Sequence, residues 1–347
     1  MLNQYTQFKG SNPFGSQAKM MYHIDRLNDY VLHDDTYPIF VEFNLTDKCN
    51  LACKWCISEN CRSKNEIYVG TAVRFLSEFK RLGGKAVTFS GGGEPTFHPN
   101  FSEIAQGALD IGLDVGLMTN GVYPDYLTSL IGNFKWVRFS IDTLDKEKYK
   151  KWKGKDRVEV VCNNALSLID LPVKVGFNVN ICMEHTIDDI EEIIKYRTLV
   201  DYIQFRPVLP RYFKDEQAAI NTEVWNHLRT TYGNDPRVNL SLDKLEDVEQ
   251  GICELFPCEG HFFNPIIQAN GDVAVCMYHP NESNYVFGNL YENSFHQIWE
   301  SARRREVIKW LREHPNRNCQ MCCKLTELNK FLHFVNNPDP SSDVNFL

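Results

Sequence analysis

The stretch Thr46-Asp-Lys-Cys49-Asn-Leu-Ala-Cys53-Lys-Trp-Cys56 places three cysteines within eight residues, with the spacing C-x3-C-x2-C. It directly follows an apolar run, residues 39–45, whose composition predicts a β-strand. Three thiolates on one short loop can bind three irons of a four-iron cluster and leave the last iron without a protein ligand. The sequence therefore indicates an iron site at which a small molecule can bind and be reduced.

Length and charge limit the class of protein. The chain has 347 residues, enough for one large domain and a smaller one. Its net charge of -8 argues against a nucleic-acid partner, and the basic runs 146–155 and 303–305 are interpreted as solvated helix faces because acidic residues lie close by. No apolar run reaches the roughly 20 residues of a membrane helix, and no secretion signal is visible. We expect a cytoplasmic chain without nucleic-acid or membrane partners.

The cysteine content indicates metal or redox chemistry. The chain has 12 cysteines, and a reducing compartment disfavours disulfides. Four of them lie between residues 49 and 61, six lie between residues 253 and 323, and only Cys162 and Cys182 lie between the two groups.

The order of predicted elements indicates an α/β fold. Six predicted strands alternate with helices between residues 39 and 206, which favours a parallel sheet in a partial (β/α)6 TIM-like barrel, too short to close. The first cysteine group follows the first strand, and in such sheets chemistry collects at the carboxyl ends of the strands. Later helices are predicted over 222–232, 295–311 and 324–334, with a small α+β domain around a hairpin at Ala269-Asn-Gly271. The predicted divisions are an N-terminal extension packed on the domain edge (1–37), the core (38–208), a linker with a helix (209–252), the second domain (253–335) and a tail (336–347).

A glycine run, Phe89-Ser-Gly-Gly-Gly-Glu-Pro95, follows the second predicted strand. Glycines permit positive φ and close backbone approach, so their N–H groups could bind a carboxylate while Glu94 balances an ammonium group. Taken alone, the run is also compatible with a plain turn.

Together these motifs resemble the radical S-adenosylmethionine (radical SAM) superfamily. The resemblance implies that Cys49, Cys53 and Cys56 bind a [4Fe-4S] cluster whose open iron is chelated by S-adenosylmethionine. It further implies that Trp55 contacts the adenine and that Gly92, Gly93 and Glu94 hold the amino group. The polar strand ends that would reach the ribose or the carboxylate are Ser140, Asn180 and Arg206. Zinc is the alternative for the cysteines, with Cys61 as a fourth ligand, and simple strand caps are the alternative for the polar strand ends.

The second cysteine group contains C-x12-G-x4-C, from Cys258 to Cys276, and then Cys319-Gln-Met-Cys322-Cys323. Four thiolates in this order would also suit zinc. Beside a radical SAM core, they resemble the auxiliary iron–sulfur domain called SPASM, or its shorter form, twitch. Because no cysteine follows Cys323, the resemblance implies a single auxiliary [4Fe-4S] cluster, bound by Cys258, Cys276, Cys319 and Cys322. Cys323 and Cys253 are alternative ligands.

The resemblance implies an oxidoreductase or isomerase that cleaves S-adenosylmethionine reductively and abstracts hydrogen from a small polar metabolite, similar to a sugar or an aminocyclitol. The electron would come from a reductant such as flavodoxin or ferredoxin. Oxidation follows if the auxiliary cluster accepts an electron from the substrate, and epimerisation follows if a thiol returns hydrogen, for which the candidates are Cys253, Cys61 and Cys182. A maturase of ribosomally made peptides is an alternative, and a non-enzymatic iron–sulfur electron carrier is another.

Overall fold

The computed structural model describes residues 17–56, 58, 63–208, 220–250, 256–279, 281–315 and 323–337. The strands are β1 (Phe40–Asn44), β2 (Ala86–Ser90), β3 (Asp114–Thr119), β4 (Trp136–Ser140), β5 (Lys174–Ile181), β6 (Tyr202–Pro207), β7 (Val238–Leu240), β8 (Ile266–Ile267), β9 (Asp272–Ala274) and β10 (Val286–Asn289). The helices are α1 (Ile24–His33), α2 (Val69–Arg81), α3 (Phe101–Asp110), α4 (Thr128–Ile131), α5 (Lys146–Lys153), α6 (Val158–Leu166), α7 (Ile187–Ile194), α8 (Thr222–Tyr232), α9 (Leu242–Gln250), α10 (Phe295–Trp299), α11 (Ala302–Glu313) and α12 (Thr326–Asn336).

The described strands form one open sheet in the order β10-β9-β8-β1-β2-β3-β4-β5-β6-β7. Strands β1 to β7 run parallel to their neighbours, and β8 pairs parallel with β1 before turning back as β9 and β10. The prediction of six strands alternating with helices in an unclosed α/β barrel is confirmed. Strand β7 lies within the range predicted as a linker and extends the sheet beyond the six predicted strands.

Alternation along the strands gives the sheet two different faces. One face packs with residues of the helices, including Phe75, Ile104 and Val161, in a single apolar cluster. The opposite face, called the inner face below, carries alternate residues of β1 to β6 that are mostly polar: Glu42, Asn44, Thr88, Ser90, Gly116, Met118, Arg138, Ser140, Gly176, Asn178, Asn180, Gln204 and Arg206. The alternation of apolar and polar residues follows from the period of two in a strand.

Two aromatic rings lie across glycines near the amino ends of the strands. A Cβ atom on Gly116 would come within 2.4 Å of the Trp136 ring, and one on Gly176 within 2.0 Å of the Tyr202 ring. Each glycine is the register neighbour of its aromatic residue on the adjacent strand. The rings therefore fill the space that side chains at positions 116 and 176 would need.

The C-terminal elements are fixed to the core by side chains from distant parts of the chain. Glu78 of α2 accepts hydrogen bonds from the N–H groups of Phe295 and His296, at 2.8 and 3.2 Å, where α10 begins.

Arg304 of α11 is fully buried. It donates to both carboxylate oxygens of Asp35 at 2.7 and 2.6 Å, and it lies 3.9 Å from the ring centre of Trp299. The interpretation of the run 303–305 as a solvated face is therefore wrong for Arg304. The predicted helix over 295–311 is two helices, because Ser301 caps α11 by accepting the N–H of Arg304 at 3.0 Å.

No helix in the described ranges is both long and apolar enough to cross a membrane.

The packing of Tyr202 on Gly176 predicts opposite effects for the same substitution at two glycines. Gly176→Ala should lower the free energy of unfolding by about 1–3 kcal/mol, because the added methyl group overlaps the ring. Gly107→Ala should raise it by about 0.5–1 kcal/mol, because position 107 is helical and its Cβ would meet only Val73, at 3.8 Å. Urea denaturation under anaerobic conditions measures both values, and equal effects of the two substitutions would contradict the packing described here.

Candidate active site

The first cysteine group lies on a loop that leaves the carboxyl end of β1, and α5 fixes this loop through the backbone. The N–H groups of Ala52 and Lys54 donate to the carbonyls of Lys153 and Trp152, at 2.9 and 2.8 Å. The Cys49 sulfur accepts the N–H of Leu51 at 3.5 Å and lies 3.7 Å from Asn120 Nδ2. Such donors stabilise thiolate sulfur and orient metal ligands.

The thiols of the first cysteine group lie close enough together to affect one another's ionisation. Burial raises the pKa of Cys53 to about 11, and the nearby Cys49 and Cys56 act in the same direction, while Lys153 opposes them. Over the described residues, no three His, Cys, Asp or Glu side chains come together to hold one metal ion. A four-iron cluster distributes its thiolates over separate irons, so three cysteines can ligate three of its four irons. Cys61, the proposed fourth zinc ligand, lies outside the described residues.

The glycine run packs directly on the cysteine loop. The N–H groups of Gly93 and Glu94 donate to the carbonyls of Thr46 and Lys48, at 2.8 and 2.9 Å. A Cβ atom on Gly93 would come within 1.9 Å of the Lys48 carbonyl oxygen, and one on Gly92 within 2.4 Å of Asp47 Oδ1. The glycines are therefore required for close approach between the two motifs, and two of the N–H groups predicted to face a cosubstrate are used within the protein.

The Glu94 carboxylate ties the end of β2 to the end of β3. It accepts hydrogen bonds from the hydroxyls of Thr96 and Thr119 and from the N–H of Asn120, each at 2.7 Å, and from the N–H of Thr96 at 3.2 Å. Complete burial raises the pKa of Glu94, although these donors oppose the shift. The side chain is therefore held in one position at the carboxyl edge of the sheet.

A buried ion pair between Lys153 of α5 and Asp142 lies at the carboxyl ends of β4 and β5. Asp142 has φ 62°, in the left-handed region, and its Oδ1 accepts the backbone and side-chain N–H groups of Asn180, at 2.8 and 3.0 Å. Its Oδ2 lies 2.7 Å from Lys153 Nζ, which also donates to the Ser140 carbonyl at 2.7 Å. Burial lowers the pKa of Lys153, but the charge of Asp142 raises it further, to above its usual range. This lysine therefore stays cationic.

Lys153 is a site residue that the sequence interpretation missed. Only 1% of it is exposed, so the interpretation of the run 146–155 as a solvated face is wrong at this position.

The Cys182 and Trp55 side chains lie close to Trp152 on the same helix, α5. Trp55 packs on Trp152 with ring centres 5.4 Å apart, and Trp152 packs on His185 at 4.7 Å. The Cys182 sulfur is 3.3 Å from His185 Nδ1.

The remaining predicted residues of the first site lie at the same edge. Ser140 is the last residue of β4, and Asn180 and Arg206 are the penultimate residues of β5 and β6. All three lie on the inner face, and Asn180 and Arg206 are register neighbours. The structure thus brings together the cysteine loop, the glycine run and all three polar strand ends. Their contacts with a cosubstrate stay predictions.

The second cysteine group is described in part. Cys276 follows β9 and is buried, while Cys258 is half-buried and packs against the main apolar cluster. Cys323 Sγ accepts the N–H of Leu325 at 3.4 Å. Cys253, Cys319 and Cys322 lie outside the described residues, so the choice among the predicted ligands stays open. Lys324 contacts the Glu42 carboxylate, which brings this segment to the inner face of β1.

The fold and the paired cysteine groups define an iron–sulfur protein built on an open α/β barrel with a second cluster-binding domain. Family models identify it further: the radical SAM superfamily matches residues 43–197, and the iron–sulfur cluster-binding domain SPASM matches residues 258–323. The chain belongs to the radical SAM superfamily and carries a C-terminal SPASM domain. Its cofactors are [4Fe-4S] clusters and S-adenosylmethionine.

Parts of the chain are similar in sequence or in fold to known proteins. It is 30% identical over 183 residues to a probable GTP 3′,8-cyclase of Methanocaldococcus jannaschii, a match over 48% of this chain and 59% of that protein, which is less than two thirds of its length. It is 25% identical over 273 residues to a GTP 3′,8-cyclase of Syntrophomonas wolfei, over 71% of this chain and 82% of that protein. Streptococcus suis SuiB bound to the precursor peptide SuiA has a TM-score of 0.65 at 16% identity, covering 85% and 71% of the two chains. At this identity, the likeness to SuiB shows the fold alone.

The Lys153–Asp142 pair predicts a large effect of Lys153→Met. The substitution should lower the free energy of unfolding by about 3–5 kcal/mol, because it leaves the buried Asp142 carboxylate without its cation. It should also reduce iron bound at the first cluster, because α5 supports the cysteine loop. Thermal unfolding and iron analysis of the anaerobically reconstituted protein measure both effects.

The matched control is Lys151→Met, whose lysine pairs with Glu184 and is half exposed. It should cost less than about 1 kcal/mol. The double variant Lys153→Met/Asp142→Asn should recover part of the loss, because Asn tolerates the left-handed backbone and carries no charge. A double variant no more stable than Lys153→Met would contradict the role of charge.

Iron content tests the two-cluster assignment. Two [4Fe-4S] clusters predict about eight irons per chain for the wild type and about four for Cys276→Ser, which removes one predicted auxiliary ligand. Cys162→Ser is the control, because Cys162 is buried on α6 and belongs to neither cysteine group. About four irons in the wild type would exclude the auxiliary cluster.

Proposed function

We propose that this radical SAM enzyme is an oxidoreductase or isomerase that abstracts hydrogen from a small polar metabolite of the sugar or cyclitol kind, including aminocyclitols. The observation that carries the proposal is the inner face, where the side chains of β1 to β6 are mostly polar although most are buried. Buried polar groups are costly unless they are hydrogen-bonded. A surface of this kind matches a ligand rich in hydroxyl groups better than an apolar one.

When bound, the cluster and S-adenosylmethionine would supply the radical chemistry needed for hydrogen abstraction from an unactivated carbon. The protein's own residues hold these groups and exclude water. Lys153 and Asp142 fix the cysteine loop against β4 and β5, and Glu94 fixes the glycine run. In our proposal Trp55 contacts the adenine, Gly92, Gly93 and Glu94 bind the amino group, and the polar strand ends bind the ribose and carboxylate through Ser140, Asn180 and Arg206.

Two outcomes for the substrate are proposed. Bound by the predicted cysteine ligands, an auxiliary cluster would supply one-electron redox chemistry suited to oxidation, and flavodoxin or ferredoxin would be the external reductant for the first cluster. Epimerisation needs a thiol that returns hydrogen. Cys253 is the first candidate from the sequence, and Cys182 is a second candidate, which lies near Trp152. Burial raises the pKa of Cys182 to about 11, so this thiol stays protonated at neutral pH.

The proposal predicts that reconstituted protein with dithionite forms 5′-deoxyadenosine from S-adenosylmethionine, and forms it faster with a suitable sugar or cyclitol. The panel also contains GTP and a precursor peptide, the compounds in the names of relatives described above. Liquid chromatography with mass spectrometry measures the product, and Cys53→Ala is the inactive control.

Deuterium transfer separates the two outcomes. In D2O, epimerisation through a thiol incorporates solvent deuterium at the reacting carbon, whereas oxidation gives a product two hydrogens lighter. Acceleration by GTP or the peptide alone would refute the proposed substrate class. No 5′-deoxyadenosine under any condition would refute the proposed activity.

A further inference from the structure

We propose that an acidic electron-carrier protein docks beside the first cysteine loop, on a surface formed by residues 52–55, 151–155 and 183–184. This surface is called the docking surface below. The inference rests on the proposed function, in which the first cluster receives its electron from an external reductant, and it assigns that reductant to one face of the protein. The alternative route is entry of the electron through the SPASM domain and its predicted auxiliary cluster.

The docking surface is built from three segments that the fold holds side by side. The cysteine loop is joined to the end of α5 by the two backbone hydrogen bonds described above, and a Cβ atom on Gly154 would lie 3.1 Å from the Cβ of Ala52. The segment after β5 packs at the same place, because the Cys182 side chain shares one small apolar cluster with Trp152 and Trp55. The carboxyl edge of the sheet therefore presents all three segments together.

The described charges of the docking surface are in positive excess. The Glu184 carboxylate accepts hydrogen bonds from Lys151 Nζ at 2.6 Å and from Trp152 Nε1 at 3.0 Å. Burial raises the pKa of Glu184, but these hydrogen bonds lower it below its usual range, and the charge of Lys54 acts in the same direction. Lys155 is exposed and forms no ion pair with any carboxylate that the structure describes. Three lysines against one glutamate leave two positive charges.

Neighbouring residues do not remove this excess. Asp156 and Arg157 follow directly in the chain and are both exposed, so their charges cancel. Glu59 and Arg62 lie outside the described residues, and their charges cancel in the sequence. Because the whole chain has a net charge of -8, a positive surface beside the cysteine loop is a local exception. An acidic protein would be attracted to this surface and repelled by the chain as a whole.

The docking surface also has the composition of a protein interface. Met183 is 45% exposed, Ala52 is exposed and Trp55 is half-buried. Methionine and aromatic residues are enriched at interfaces, where an apolar centre lies inside a polar and charged rim. Since these residues are chain neighbours of Lys54 and Glu184, apolar and charged groups share the same surface.

The position of the docking surface suits electron transfer to the first cluster. Cys53 and Cys56, two of the predicted cluster ligands, flank Lys54 and Trp55 in the sequence, and both cysteines are half-buried. A carrier in contact with Lys54 and Trp55 would thus touch the residues next to two ligands. Electron transfer becomes slower as the distance between the two redox centres grows, so this face favours reduction of the first cluster.

Calorimetric titration of the reconstituted wild type with oxidised carrier tests the inference apart from turnover. The carriers are a bacterial flavodoxin and a bacterial ferredoxin, both acidic. At least one should bind at low ionic strength and bind about tenfold more weakly in about 0.5 M salt, because salt screens exposed charges. The carrier that binds identifies the class of partner.

The test variant is Lys151→Gln/Lys155→Gln, which removes two cations and changes no residue of the cysteine loop. It should weaken carrier binding about fivefold, and it should slow carrier-driven formation of 5′-deoxyadenosine at low carrier concentration by the same factor. Formation driven by dithionite should stay unchanged. The matched control is Lys85→Gln/Lys135→Gln, which removes two exposed lysines directly before β2 and β4, at the opposite edge of the sheet.

A wild type that binds neither carrier at low ionic strength would overturn the inference. So would equal carrier binding by the wild type and the test variant, or an equal loss in the control. Thermal unfolding and iron content report whether each variant is folded and loaded, and Lys155→Glu takes the place of a double variant that is not. Dithionite-driven formation of 5′-deoxyadenosine tests the proposed activity separately, so failure of docking and failure of the activity are distinguishable.

Discussion

The buried pair between Lys153 and Asp142 is the interaction on which the candidate site depends. It joins α5, which supports the cysteine loop through two backbone hydrogen bonds, to the ends of β4 and β5. Asp142 adopts a left-handed backbone conformation, which costs energy for a residue other than glycine and persists only where surrounding contacts fix it. The pair therefore couples the geometry of the iron-binding loop to that of the polar strand ends.

The glycine run adds a steric constraint of a different kind. Its backbone lies so close to the cysteine loop that Cβ atoms at Gly92 or Gly93 would overlap that loop. Glu94 then holds the ends of β2 and β3 through its carboxylate. Contacts within the protein thus fix the carboxyl edge of the sheet, as expected for a site that must direct one C–H bond toward a reactive carbon.

Local patterns allowed prediction of the six strands, the cysteine loop and the glycine run, because period and spacing are properties of adjacent residues. Burial of Lys153 and Arg304 was not predictable in this way, because both lie in basic runs typical of solvated helices. Their burial depends on carboxylates outside their own helices, namely Asp142, which precedes α5, and Asp35 in the N-terminal extension. The inner face was only partly predictable: the polar strand ends were identified, but the contact between Arg138 and Gln204 joins the middles of two strands that are far apart in sequence.

Strand β8 pairs with β1, so the last domain of the chain completes an edge of the first strand. During synthesis, β1 therefore keeps one row of backbone N–H and C=O groups unpaired until every core strand has left the ribosome. Pairing of this edge would come last. The order of residues along the chain therefore favours assembly of the core strands before the C-terminal strands join the sheet.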